Sequence, residues 1–501
     1  MKTFPPALPY RIALLSFAAF IFVFMYLHDF SYTMDDAFIS FRYAQNLASG
    51  HGLVWNPGET PVEGYTNFLW VMVLTAAIKA GVDVVLAAKL LALLSGLAVI
   101  VILERLAVAF TGGESALSAL PSLIYASAPF TPFHAAEGLE TTMYTLIIVS
   151  VVFAAVKSVS LRSCRWFLAL CVLILLAGLT RPEGVLFGLA LLAVIAVRNR
   201  KLVFTKRGLL ILAVTGLAGF AYFAWRWSYF GHLLPNPFYL KHPGGLLDPQ
   251  GLKYVGSFVL IYCTVPLILA LVHMVRRRTP SYLVLLLVPV AVILLFYLGV
   301  NPVMGTAHRY LAPYFPLVLL IMLPVHRGFF PSSPVIVPAG AALAMIVIFM
   351  ATFSSIDTEA REYGRGMNRA NIPLGKALNA VFSEPERQTL ACGDAGAIPF
   401  YSGFRTIDLI GLNDVRTVRE GFSADRVMRQ SPDVLVLYSK NGLDVATDMG
   451  HDRELVSHPR FGEYTKVGAL LFNRNYYLMV LARKDLPEIP ALKKALEEIQ
   501  Q

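Results

Sequence analysis

The sequence predicts a polytopic α-helical membrane protein of about eleven spans with a smaller α/β domain at its C-terminal end. Three observations carry that prediction. Of 501 residues, 56% are hydrophobic and only 15% charged, and the mean hydropathy of +0.62 exceeds what a soluble chain of this size sustains. Apolar runs long enough to cross about 30 Å of hydrocarbon recur up to residue 355. From residue 356 the composition turns polar, and short alternating runs replace the long apolar ones.

The first run, Ile12–Leu27, has no small-residue cleavage site behind it and reads as a span, not as a removed signal. After it come Val84–Leu103, Ala116–Phe133, Thr142–Val156, Trp166–Leu179 and Val185–Val197. Leu209–Ala224, Val255–Val272, Tyr282–Leu298, Leu311–Val325 and Pro334–Phe353 complete the set. Tyr65–Ala80 is ambiguous, and the distribution of basic residues decides it. With a cytoplasmic N-terminus and Tyr65–Ala80 lying along the surface, three clusters all fall inside: Lys157/Arg162/Arg165, Arg198/Arg200/Lys201/Lys206/Arg207 and Arg276/Arg277/Arg278. If that segment crossed, all three would fall outside. The net charge of +10 therefore belongs to cytoplasmic anchors, and no nucleic-acid partner is expected. Of the four cysteines only Cys392 lies outside the apolar bulk, so no disulfide is expected in the tail.

This topology gathers polar segments in one outer layer. Residues 28–83 form a long outer loop with two helices at the interface, Asp35–Ala48 and Tyr65–Ala80. "HAAEGLETT" (His134–Thr142), "TRPEG" (Thr180–Gly184), "GHLLPNPFYLKH" (Gly231–His242) and "NPVMGTAHRY" (Asn301–Tyr310) emerge on the same side. Ion-coupled transporters keep ionisable groups at the membrane midplane. A charged layer at the surface favours interfacial chemistry.

Within that layer Asp35, Ile39, Arg42 and Asn46 share one face of a helix, with Asp36, Ser40 and Tyr43 on the next stripe. A carboxylate and a guanidinium on one face suit a substrate with a proton to lose and a phosphate to hold. The bland alternative is an acidic helix start and a snorkelling arginine. His308 and Arg309 stand in a mostly apolar loop, which makes Arg309 a candidate phosphate clamp, and Lys241 is a less specific one. Glu63 belongs to the same loop as Tyr43 and joins the candidate substrate residues. His134, Glu137 and Glu140 either open a helix in the ordinary way or hold a divalent cation. "TRPEG" reads as a helix start at least as readily as a catalytic element.

The stretch "DDAFISFRYAQNLASGHGLVWNPGE" followed by "VEGYTNFLW", with "EGLET", "RPEG" and "YSGFRTIDLIGLND", resembles the GT-C superfamily of integral-membrane glycosyltransferases. Within it the chain looks most like bacterial relatives of the mycobacterial terminal arabinofuranosyltransferases. The resemblance implies a bacterial plasma-membrane enzyme with its active site and tail on the periplasmic side. It would take a sugar, arabinofuranose among the candidates, from a polyprenyl-phosphate donor and pass it with inversion to a hydroxyl of a glycan, lipid or protein. It also implies that the first acidic residue of the pair, Asp35, is the general base, with Asp36 orienting substrate or holding a metal. No nucleotide fingerprint is needed, because the donor is a lipid.

The expected division is residues 1–355 for the membrane part and 356–501 for an outer α/β domain, with a helical pattern over Ala360–Phe382 and strands at Asp433–Tyr438 and Tyr476–Ala482. "CGDAGAIPFYSG" is either a sugar-facing loop or a plain strand-to-helix turn. The competing function classes are a transporter of a lipid-linked glycan and an inactive scaffold.

Overall fold

The computed structural model describes residues 7–111, 116–241, 247–276, 281–321 and 336–500. The side chains of Lys241, Arg277 and Arg278, together with His242 and the far ends of two expected spans, lie outside the described residues.

The N-terminal part is helical: α1 (Ala7–His28), α2 (Asp35–Ala48), α3 (Phe68–Lys79), α4 (Val84–Thr111), α5 (Leu120–Ser127), α6 (Phe130–Ala136), α7 (Thr141–Ser160), α8 (Cys164–Thr180) and α9 (Glu183–Arg198). It continues through α10 (Arg200–Val203), α11 (Lys206–Phe230), α12 (Asn236–Lys241), α13 (Pro249–Phe258), α14 (Thr264–Arg276), α15 (Ser281–Tyr297), α16 (Phe315–Ile321) and α17 (Ile336–Gly366). Among the described residues, six helices are long and apolar enough to cross a membrane by length and composition. The expected run Ala116–Phe133 is broken at Ala128–Pro129, where proline cannot continue the preceding turn.

Two expectations change. α2 has the expected bounds but does not lie on a surface: Asp35 and every residue from Ala37 to Ala44 are buried, between α3 and the C-terminal domain. The expected boundary at 355/356 falls inside α17, an unbroken helix that runs from the last membrane segment into the C-terminal domain. Asp357 bonds both His28 and Arg361, which ties the C-terminal half of α17 to the end of α1.

Beyond α17 come α18 (Ile372–Val381), β1 (Thr389–Cys392), α19 (Ala397–Ser402), β2 (Arg405–Asp408), α20 (Val415–Glu420), α21 (Ala424–Met428) and β3 (Val434–Ser439). The chain ends with α22 (Gly450–Ser457), β4 (Tyr464–Asn473), β5 (Tyr476–Arg483) and α23 (Ile489–Gln500). The sheet order is β2-β1-β3-β5-β4, parallel at β2/β1/β3 and antiparallel at β3/β5/β4. Strand side chains alternate faces. Leu390, Cys392, Val434, Val436, Leu478 and Val480 join one continuous core with the membrane helices. Ala391, Leu435, Leu437, Met479 and Leu481 form a second core on the other face. All four cysteines are free.

Candidate active site

The first turns of α2, α7 and α9 and the loop before α16 converge on one buried polar network. Met34, just ahead of α2, donates its N–H to the Glu137 carbonyl at 3.0 Å. That seats the acidic first turn of α2 against Gly138, where an added Cβ would meet Ala37, Phe41 and Thr33 at 3.2–3.3 Å.

Arg309 reaches this place on a strained loop. Met304, Ala307 and His308 have φ of 57°, 48° and 57°, a conformation that costs non-glycine residues about 1–3 kcal/mol each. Surrounding bonds hold it: Ser257 with the His308 ring at 2.9 Å and Tyr310 N–H to the Tyr254 hydroxyl at 3.0 Å. The Arg309 guanidinium is buried, 3.8 Å from the Asp36 carboxylate. Its remaining bonds are weak, to the Met34 sulfur and to the Tyr310 hydroxyl at 3.3 Å, and its Nε has no partner. Burial works against its charge, but Tyr310, Glu137, Asp36 and Glu140 together raise its pKa. Its unpartnered Nε leaves the guanidinium room for a further acceptor.

The other members are fully engaged. Glu140 accepts from Arg181 and from Asn67, both at 2.7 Å. Burial would raise its pKa, but Arg181 and Arg309 bring it below the usual carboxylate range. Glu137 bonds His134 Nδ1 at 2.9 Å and the Thr141 hydroxyl. Glu140 thus faces Arg181, and among the described residues His134, Glu137 and Glu140 do not converge as a cation site. Burial, then His134, push His308 down to about 4, so it is neutral at physiological pH and is no phosphate clamp.

The Asp pair divides. Asp36 keeps 24% of its side chain exposed. Asp35 is turned into the C-terminal domain, its Oδ1 accepting the Ala397 N–H at 2.9 Å. Arg42 also departs from its expected role. Its Nε donates to the Trp55 carbonyl (2.9 Å), Nη1 to Pro399 (2.6 Å), and Nη2 to Asn56 (3.0 Å) and Phe404 (2.8 Å). It is a strut between the loop after α2 and the C-terminal domain, with its donors spent on these bonds. The Tyr43 hydroxyl donates to the Val62 carbonyl at 2.7 Å and accepts from Gly64 at 3.1 Å, shaping the same loop.

Glu63 pairs with Arg226 at 2.8 Å, and the arginine keeps one buried, unpartnered nitrogen. The pair heads an apolar cavity of about 550 Å³ between α8, α9 and α11, walled by Ile174, Leu175, Leu179, Leu189, Leu212 and Phe223. Thr66 and Pro182, chain neighbours of Asn67 and Arg181, also line it. Arg181 and Arg226 were not picked out as site residues by sequence. An arginine beside Pro-Glu at an outer helix end was the signal for the first; Arg226 lies inside an aromatic helix with no local mark.

Residues 360–485 match the model of a domain of unknown function (DUF8728). The terminal β-(1→2)-arabinofuranosyltransferase of Mycobacterium tuberculosis is 30% identical over 274 residues, 51% of this chain and 43% of that protein. The chain therefore spans less than half the length of that relative. The structure superposes on ArnT from Cupriavidus metallidurans bound to undecaprenyl phosphate with a TM-score of 0.65, at 13% identity over 97% of this chain and 99% of that one. The Archaeoglobus fulgidus oligosaccharyltransferase tethered to an acceptor peptide gives 0.51, at 12% identity over 86% and 69% of the two chains. The chain has the GT-C membrane fold. α2 and α3 lie between the first two membrane-length helices, and the sheet domain follows the last of them.

Proposed function

We propose that this protein is an inverting glycosyltransferase that moves a sugar from a polyprenyl-phosphate donor to a hydroxyl of a cell-envelope glycan, lipid or protein. The observation that carries the reading is the under-paired, buried Arg309 beside Asp36 at the outer membrane boundary. The likeness to ArnT, solved with undecaprenyl phosphate, and to the arabinofuranosyltransferase supports it, and favours arabinofuranose as the sugar. The reaction faces the periplasm, where the layer opposite the basic clusters lies.

The isoprenoid tail occupies the apolar groove of α8, α9 and α11, with its phosphate at the polar layer. The phosphate replaces Asp36 as the partner of Arg309, which frees Asp36 to accept the acceptor's proton. The hydroxyl oxygen then bonds to the anomeric carbon as the bond to the lipid phosphate breaks, and the leaving phosphate keeps the electron pair. Arg309 stabilises the charge that develops there. The base role passes from Asp35 to Asp36, because Asp35 is enclosed and already accepts the Ala397 N–H. His134 and Glu137 brace the strained loop through the Ala307 carbonyl, 3.1 Å from the His134 ring.

Purified protein in lipid nanodiscs should bind undecaprenyl phosphate, and Arg309→Ala should weaken that binding about tenfold or more, the value of one charge-assisted hydrogen bond. Unchanged affinity would remove Arg309 from the site.

A further inference from the structure

α1 ends on His28, and the next residue, Asp29, begins the turn that leads to α2. That turn is closed by the Tyr32 N–H, which donates to the Asp29 carbonyl at 2.9 Å. α17 packs on it closely: a Cβ on Gly364 would lie 3.4 Å from the Tyr32 Cα, and the Asn368 amide donates to the Ser31 carbonyl at 3.4 Å. About two turns earlier on α17, Asp357 brings a carboxylate oxygen to 2.8 Å from the His28 Nε2. Three ligating groups therefore meet where α1 ends against α17. A ring nitrogen of His28 and carboxylate oxygens of Asp29 and Asp357 all lie within 4.8 Å of one another.

Asp29 is the member of the group that the protein leaves unanswered. The residue is only 8% exposed, yet among the described residues its carboxylate accepts no hydrogen bond and forms no ion pair. Burying a carboxylate without a partner is costly, and a cation between it and its neighbours removes that cost. The nearby guanidinium is committed elsewhere: Arg361 Nε donates to Asp357 at 2.9 Å, and Nη2 lies 3.2 Å from the His28 Nε2. The His28 nitrogen is thus approached by a carboxylate and by a guanidinium at once. One ring nitrogen either donates a proton or accepts one, so it cannot satisfy both. A lone pair on Nε2 aimed at a metal ion beside Asp357 resolves that conflict.

We propose that His28, Asp29 and Asp357 bind a divalent cation of the zinc class, which cross-links the end of α1 to α17. One imidazole and two carboxylates suit such an ion, and water completes a tetrahedral shell. Ligands about 2.1 Å from a tetrahedral ion sit about 3.4 Å apart, so the three groups draw in by no more than about 1.5 Å. The exposed His28 ring is free to turn by that much. Binding displaces Arg361 from Asp357. The arginine side chain is 56% exposed, and so open an ion pair contributes little. The site is separate from His134, Glu137 and Glu140 and from the Asp36–Arg309 pair, and it holds whatever reaction the protein performs. Its place on the turn before Asp35 and Asp36 gives the ion a structural role, fixing the approach to α2.

The test is zinc binding by the full, untagged chain in detergent after chelation and buffer exchange, read by titration calorimetry and by metal content. The wild type should take up one equivalent. Asp29→Asn keeps the shape and removes a charged ligand, and it should weaken zinc binding at least about tenfold, as should His28→Gln. Arg361→Gln removes the competing cation and should tighten zinc binding, an effect that a merely structural ion pair has no reason to show. Zinc should also raise the unfolding midpoint of the wild type and leave that of Asp29→Asn unmoved. Calcium prefers oxygen ligands and should not substitute. Failure of the wild type to bind zinc, or equal zinc binding by folded wild type and Asp29→Asn, would overturn the site. Tighter binding of calcium than of zinc would overturn the assigned class of ion.

Discussion

Arg42 joins three segments that are far apart in the chain: α2, the Trp55–Asn56 loop and the turn and strand around Pro399 and Phe404. Burial lowers its pKa to about 10, which still leaves it charged, so its bonds must offset the desolvation. Arg42→Lys keeps the charge but loses the planar fork, and should cost about 2–4 kcal/mol of stability in denaturant titration. Donor affinity should hold. A stable variant with weakened undecaprenyl-phosphate binding would return Arg42 to the substrate site. Gly396→Ala acts where the C-terminal domain meets the start of α2, because the new Cβ would lie 2.1 Å from the Asp35 carbonyl oxygen. It should lower stability by about 1–3 kcal/mol, as overpacking does. At this scale sequence located the acids and Arg309 but not their partners. Asp35 and Ala397 are separated by 362 positions, and no local pattern encodes such a pairing.

Elements were far more legible. The acidic start and 3.6-residue pattern of α2 gave its bounds, and the strands at β3 and β5 lay within a residue of expectation. What pattern did not give was the setting of α2, because a helix packed on two sides by apolar neighbours and one laid on lipid share the same amphipathic stripe. The groove of α8, α9 and α11 likewise appears only on assembly. Gly216 lines it, and an added Cβ there meets nothing within 4 Å. Gly216→Phe should fill the groove, raise helix propensity and cut undecaprenyl-phosphate binding at least about tenfold with no loss of stability. Intact binding would place the tail elsewhere.

Across the whole molecule, hydropathy gave the membrane class, and the boundary expected at 355/356 marks a change of composition that the shared core bridges. A polar composition marks solvent exposure of a segment, not mechanical independence, and α17 with one face of the sheet packs into the membrane core. The proposed orientation puts Lys201 in the cytoplasm and Ser457 outside, both exposed. With the native cysteines replaced, Lys201→Cys should react with an impermeant maleimide only from inside, and Ser457→Cys only from outside. Reaction of both from one side would reject the topology.

The central claim is that Asp36 removes the acceptor's proton while Asp35 anchors the helix that carries it. The most direct measurement is the mass spectrum of envelope glycans in a strain lacking the protein, complemented with Asp36→Asn or Asp35→Asn at matched expression. General-base catalysis contributes about 10²–10⁴-fold, so Asp36→Asn should leave the glycan untransferred while its binding of undecaprenyl phosphate survives, and Asp35→Asn should restore much of the product. Full product with Asp36→Asn, and none with Asp35→Asn, would contradict the account and give the base role to Asp35.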